Sequence, residues 1–174
     1  MIDIPNDANA PDRCDTGAFF LMRILIMIFM TTCFKQLVTK KIVMAKDIGI
    51  HGNLFGGTLM AWLDEAAAAY ATEYCYTPNM VTVRVGELIF KKPLKAGQHV
   101  RIYAEVIELG NTSISLKLEA TKYNLYSGEE TVVCSTDMRF VRIDDDGTPT
   151  GIGETVRRKH ELRLKGIEPS ITHL

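Results

Sequence analysis

Residues Thr58 to Cys75 read TLMAWLDEAAAAYATEYC, eighteen positions without glycine or proline and rich in Ala, Leu and Met. The run is too long for an ordinary strand and predicts a helix. Between Leu59 and Ala71 only Asp64 and Glu65 are charged, so this helix is apolar on nearly all sides and has to be wrapped by other structure. The residues that follow supply a wrapping, because they alternate with a period of two. Val81, Val83 and Val85 share one face, and Leu88 and Phe90 continue out of phase across Gly86-Glu87, as a β-bulge would require. Val100, Ile102, Ala104 and Val106 alternate with Arg101, Tyr103 and Glu105. After a Gly110-Asn111 turn, Ile114, Leu116, Leu118 and Ala120 alternate with Ser115, Lys117, Glu119 and Thr121. Thr131 to Ile143 reads as a last long strand. Gln36 to Met44 reads as a strand ahead of the helix, joined to it by the turn-rich Lys46 to Gly57. The expected fold class is therefore α+β, an antiparallel β-sheet around one long apolar helix. One helix cannot cover such a sheet or hide its edges, which predicts dimerisation.

At 174 residues the chain has room for one domain of ordinary size. Twenty Lys+Arg against 21 Asp+Glu remove the basic footprint of a nucleic-acid binder. Cys14, Cys33, Cys75 and Cys134 form no CxxC pair and no zinc-ligand spacing, so no metal is expected and a cytoplasmic location fits. Gly17 to Phe34, GAFFLMRILIMIFMTTCF, is apolar but suits neither a secretory signal nor a membrane span. The residues before it carry Asp3, Asp7, Asp12 and Asp15 against Arg13, and Arg23 inside it costs ~2.5–3.5 kcal/mol in hydrocarbon. Met22, Met27 and Met30 offer later starts. The chain divides accordingly into an apolar leader outside the fold (1–35), the domain (36–153) and a basic tail (154–174) carrying Arg157, Arg158, Lys159, Arg163 and Lys165.

Asp64 has Met60, Ala61, Ala67 and Ala68 as its neighbours three and four positions away, all apolar. Burial there would raise the carboxyl pKa and leave it ready to take a proton from water. Glu65 has equally apolar neighbours, so position alone does not choose between the two acids. Gly56 and Gly57 are expected immediately before the helix, where unpaired N–H groups and the dipole favour negative charge and could hold an oxyanion. Asn53 could hold water or a carbonyl oxygen through its amide, or simply support the turn. Thr82 alone is a good strand former, and His51 an ordinary loop histidine.

His51 to Ala68, HGNLFGGTLMAWLDEAAA, resembles the signature of the hotdog-fold acyl-CoA thioesterases: a Gly-Asn turn, a Gly-Gly pair and an acid about seven positions into the helix. The resemblance covers roughly residues 36–151, continuing through MVTVRVGELIFKKPLKAG and FVRIDDDGTP. It implies hydrolysis of acyl-coenzyme A to carboxylic acid and coenzyme A, without metal or organic cofactor, in homodimers or trimers of dimers. It assigns the base or nucleophile to Asp64, leaving Glu65 to anchor a sheet or interface contact. It also makes Asn53 catalytic, gives Thr82 a part in positioning the attacking water, and implies a site shared by Asn53 of one chain and Asp64 of the other. For the coenzyme A phosphates the candidates are Lys91, Lys92, Arg101 and the Arg157-Arg158-Lys159 run; Trp62, Tyr70 and Phe55 are core or acyl-pocket lining. Two other functions compete. A hydratase or dehydratase would pair His51 with Asp64, yet the His-Phe-Pro type of motif is absent. A non-enzymatic acyl-coenzyme A sensor would carry a DNA-binding module, and residues 1–35 show no such pattern.

Overall fold

The computed structural model describes residues 35–165; the leader and the end of the tail lie outside the described residues. Strand β1 (Gln36–Ile42) and a single 3-10 turn (Ala45–Asp47) precede helix α1 (Gly56–Cys75). Then come β2 (Met80–Val85), the two-residue β3 (Ile89–Phe90), β4 (His99–Leu109), β5 (Ser113–Tyr123), β6 (Glu130–Arg142) and helix α2 (Glu154–Leu164). The sheet is antiparallel in the order β1-β4-β5-β6-β2, with β3 also on β6. This is the α+β hotdog arrangement that the resemblance implies.

The alternation read from the sequence sets the two faces. Val100, Ile102, Ala104, Ile114, Leu116, Leu118, Met138 and Phe140 are buried against Leu59, Leu63, Ala66, Ala67, Tyr70 and Ala71 of α1. Charged pairs occupy the other face, Arg101 with Glu130 at 2.6 Å and Arg139 with Glu108 at 2.7 Å among them. Each of the long ladders carries one register shift, which bends the strands around the helix. The helix ends at Tyr76, whose backbone turns left-handed at φ 52° just before Pro78.

Two expectations are corrected. The helix is not enclosed: the sheet covers one side, and Met60, Ala61, Glu65 and Ala69 lie exposed on the other. Alanines on that side satisfy an apolar pattern without needing burial in the same chain. The bulge expected across Gly86-Glu87 is present: Val85 lies opposite Met138 and Ile89 opposite Ser135, so three residues face two, and the Gly86 N–H donates to the Asp137 carbonyl at 2.7 Å. A second extra residue, Val83, lies where the register between β2 and β6 shifts, and a Cβ on Gly86 would lie 2.4 Å from a carboxylate oxygen of Asp137.

The basic tail is not free chain through its first eleven residues, which form α2. Val156 is buried, and the Arg157 guanidinium bonds the carbonyls of Asn111 at 2.8 Å and Ile152 at 3.2 Å. The Tyr74 hydroxyl shares a hydrogen bond of 2.7 Å with Nδ1 of His160, while Arg163 lies over the Tyr74 ring. Burial, then the charge of Arg163, pushes the His160 pKa below its ordinary 6.5. The folded state therefore binds fewer protons than the unfolded state as pH falls below 6.5, so this contribution to stability shrinks on acidification. Thermal melts between pH 7.5 and 5 should show an acid loss of Tm that is smaller in His160→Gln, which keeps a hydrogen-bonding amide beside Tyr74 but does not titrate. An equal loss in both proteins would remove His160 as its source.

Candidate active site

The loop before α1 is held from both sides. Phe55 N–H donates to the Asp47 carbonyl at 2.9 Å, Leu54 N–H to Leu94 at 2.7 Å, and Gly49 N–H to Asn53 at 2.8 Å. Gly52, at φ +67°, takes a conformation that suits glycine. Gly56 and Gly57 are the first two residues of the helix rather than the residues before it, and Phe55 is the N-cap. The Phe55 carbonyl accepts from Thr58 at 3.0 Å and Leu59 at 3.2 Å, whereas the N–H groups of Gly56 and Gly57 have no acceptor among the described residues. Both point outward at the positive end of a twenty-residue helix.

Beside them opens a cleft of about 340 Å³ lined by Asn53, Gly56, Leu59, Phe90, Lys91 and Lys92, among others. Lys91 and Lys92 reach it because both of their N–H groups bond the Val133 carbonyl, at 2.8 and 3.4 Å, where β3 leaves the sheet. The amide oxygen of Asn53 is buried there and accepts no hydrogen bond from the described residues. Such an oxygen calls for a donor that the described residues do not supply. The cleft thus combines apolar walls, two cations, an orphaned acceptor and two unpaired N–H groups.

Asp64 stands elsewhere, on the open side of α1, and the Thr82 hydroxyl donates to its Oδ1 at 2.9 Å. The edge strand β2 makes this bond possible, since Thr82 precedes the bulge at Val83 and faces the helix. The sequence predicted a buried carboxylate. It is half-buried instead, because Met60 and Ala61 flank it on the uncovered face. Glu65, exposed, pairs with Lys41 of β1 at 3.0 Å, the sheet contact expected of it.

Gly57 and Asp64 are seven residues apart on one helix, about 10 Å along its axis. One thioester carbon needs its proton acceptor and its oxyanion donors each within about 3 Å of the reacting atoms. The Asn53–Gly57 cleft and the Asp64–Thr82 pair are thus two separate groups of residues on one chain.

Of the other candidates, His51 is exposed and does not line the cleft. Arg101 is committed to Glu130 and to the Tyr123 ring, Arg157 anchors α2 on the Asn111 turn, and Arg158 is exposed on α2; none of them lines the cleft. Phe55 is 62% exposed, so it is not core, whereas Tyr70 is buried and Trp62 half-buried. Burial pushes the Cys75 thiol up to about 11, which leaves it unfit as a nucleophile at neutral pH. Phe90 lines the cleft and was not among the sequence candidates; its pairing with Cys134 brings its ring over Gly56. Among the described residues no helix is long and apolar enough to cross a membrane, and no three His, Cys, Asp or Glu side chains are grouped to hold a metal.

Residues 51–128 match the family model described as the thioesterase superfamily. An uncharacterised acyl-CoA thioester hydrolase of Buchnera aphidicola is 34% identical over 116 residues, 65% of this chain and 85% of that protein. The acyl-CoA thioester hydrolase YciA of Escherichia coli K12 is 30% identical over 120 residues, 67% of this chain and 90% of its own length. Among solved structures, an alanine mutant of HI0827, a hexameric broad-specificity acyl-coenzyme A thioesterase, superposes with a TM-score of 0.69 at 28% identity, covering 76% of this chain and 96% of that one. With the glycine pair, the helix acid and the sheet all in place, the chain belongs to the acyl-CoA thioester hydrolases of the thioesterase superfamily.

Proposed function

We propose that this chain hydrolyses acyl-coenzyme A to carboxylic acid and free coenzyme A at sites that two copies build together. The observation that carries this reading is the two-turn separation of Gly57 and Asp64 on one rigid helix. In a two-fold pair each copy supplies what the other lacks. The pantetheine arm enters the cleft of one chain, with Lys91 and Lys92 toward the phosphates and the thioester oxygen on the N–H groups of Gly56 and Gly57. The Asp64 carboxylate of the other chain takes the proton of a water molecule as that water adds to the carbonyl carbon. Thr82 holds one carboxylate oxygen by its 2.9 Å hydrogen bond, which frees the other for the water. Collapse of the tetrahedral adduct breaks the C–S bond, and the leaving sulfur takes the proton back from Asp64. Asn53 adds a polar contact to substrate through its buried amide. No metal or organic cofactor enters this scheme.

The exposed apolar residues Met60, Val81 and Val83 lie on the same open side as Asp64 or on the free edge strand, and they support a homodimer as the working unit. A trimer of such dimers, located in the cytoplasm, completes the reading. Hydrolysis assigned to the domain makes the leader dispensable. Deleting residues 1–29 should leave kcat/KM for butyryl-coenzyme A unchanged, measured by thiol release. A truncated chain that folds but loses activity would bring the leader into the site. Failure to hydrolyse any of a panel of acyl-coenzyme A lengths would overturn the function itself.

A further inference from the structure

Helix α1 starts on a residue that cannot cap it. N-cap positions favour Ser, Thr, Asp and Asn, whose side-chain oxygen accepts from the second or third N–H of the helix. Phe55 has no such oxygen, although its backbone, at φ −65° and ψ 129°, already holds the extended conformation that capping requires. The second N–H belongs to Gly57 and the third to Thr58, and the latter already donates to the Phe55 carbonyl. A capping side chain at 55 would therefore find the Gly57 N–H open to it. The Phe55 ring lies against Gly57 instead: a Cβ there would stand 2.7 Å from Cε1. From the other side the Phe90 ring stands 3.3 Å from the Cβ position of Gly56. Both rings are more than half exposed, 62% and 53%, on backbones pinned by the hydrogen bonds already described. Next to them lies the buried, unpartnered amide oxygen of Asn53.

We propose that Phe55 is a positioning residue that keeps the helix start deliberately uncapped, so that the Gly57 N–H stays vacant for the thioester oxygen. The inference rests on the acyl-coenzyme A hydrolase reading and assigns to that site a residue which gives up helix stability in favour of catalysis.

The test is a substitution series in the full chain, assayed with butyryl-coenzyme A. Phe55→Ala removes the ring without adding an acceptor and sets the baseline. Phe55→Asn and Phe55→Ser restore a cap on an unchanged backbone. Relative to Phe55→Ala they should melt roughly 3–5 °C higher. Their kcat should fall about a hundredfold, the cost of one lost oxyanion donor, with KM little changed. A purely structural role for position 55 would move Tm and kcat in the same direction, not in opposite ones. Cap variants as fast as Phe55→Ala, or no more stable than it, overturn the inference. If the wild type and Phe55→Ala alike release no coenzyme A, it is the hydrolase reading that fails.

Discussion

Asp64→Ala is expected to lower kcat for acyl-coenzyme A hydrolysis by about a hundredfold or more while leaving the fold intact. The fold should survive because the side chain lies on the uncovered face of α1, where truncation opens no cavity in the core. Thr82 loses its acceptor, but it is exposed and water replaces the bond. Glu65→Gln is the control. The Glu65 carboxylate is mostly exposed, its pair with Lys41 is a surface contact worth ~0–1 kcal/mol, and its loss should barely change turnover. Circular dichroism and thiol-release kinetics on both variants decide the matter. A folded Asp64→Ala enzyme with ordinary turnover, or a larger effect at Glu65, would move the chemistry away from Asp64.

The second large effect is recovery of activity from two dead proteins. A chain carrying Asn53→Ala with Gly57→Ala has a damaged cleft and a sound Asp64, while Asp64→Ala has the reverse. Each alone should be close to inactive. After subunit exchange in an equal mixture half the dimers are hybrids, and in every hybrid one site draws both sound halves while the other draws both damaged ones. About a quarter of wild-type activity should therefore return. Exchange must be verified separately, for instance by differently sized tags. If it is complete and no activity returns, cleft and carboxylate serve the same chain and the shared site is wrong.

The elements whose burial repeats regularly were legible from the residues alone. Helix α1 and strands β4, β5 and β6 were expected within a few residues of where they lie, since period-two alternation and a glycine-free apolar run are local signals. Helix α2 was not. It has one buried apolar anchor, Val156, and is fixed by Arg157 on a turn 46 residues away and by His160 on a tyrosine 86 residues away. No window of neighbouring residues contains that information. Position alone left the two adjacent acids equal and only the resemblance chose Asp64, because their partners are distant in sequence: Lys41 pairs with Glu65, and Thr82 donates to Asp64. The helix start was placed two residues late because Phe55 is a poor cap by residue type, and that mismatch marks the position as unusual.

The strand order β1-β4-β5-β6-β2 also determines how the chain has to fold. Hairpins β4-β5 and β5-β6 close locally, but β1 meets β4 with Gln36 opposite Ala104, and β2 meets β6 with Met80 opposite Arg142. Helix α1 is thus synthesised after β1 but before β2 to β6, the strands that bury most of it. Between the emergence of Cys75 and that of Arg142 a ribosome working at about 5–20 residues per second spends several seconds, during which the helix has only β1 and no completed sheet to pack on. Its apolar residues, later the floor of the core, are for that interval a surface for chaperones or for other nascent chains. Refolding is correspondingly governed by loop closure across long separations, which places this domain among the slower folders of its size.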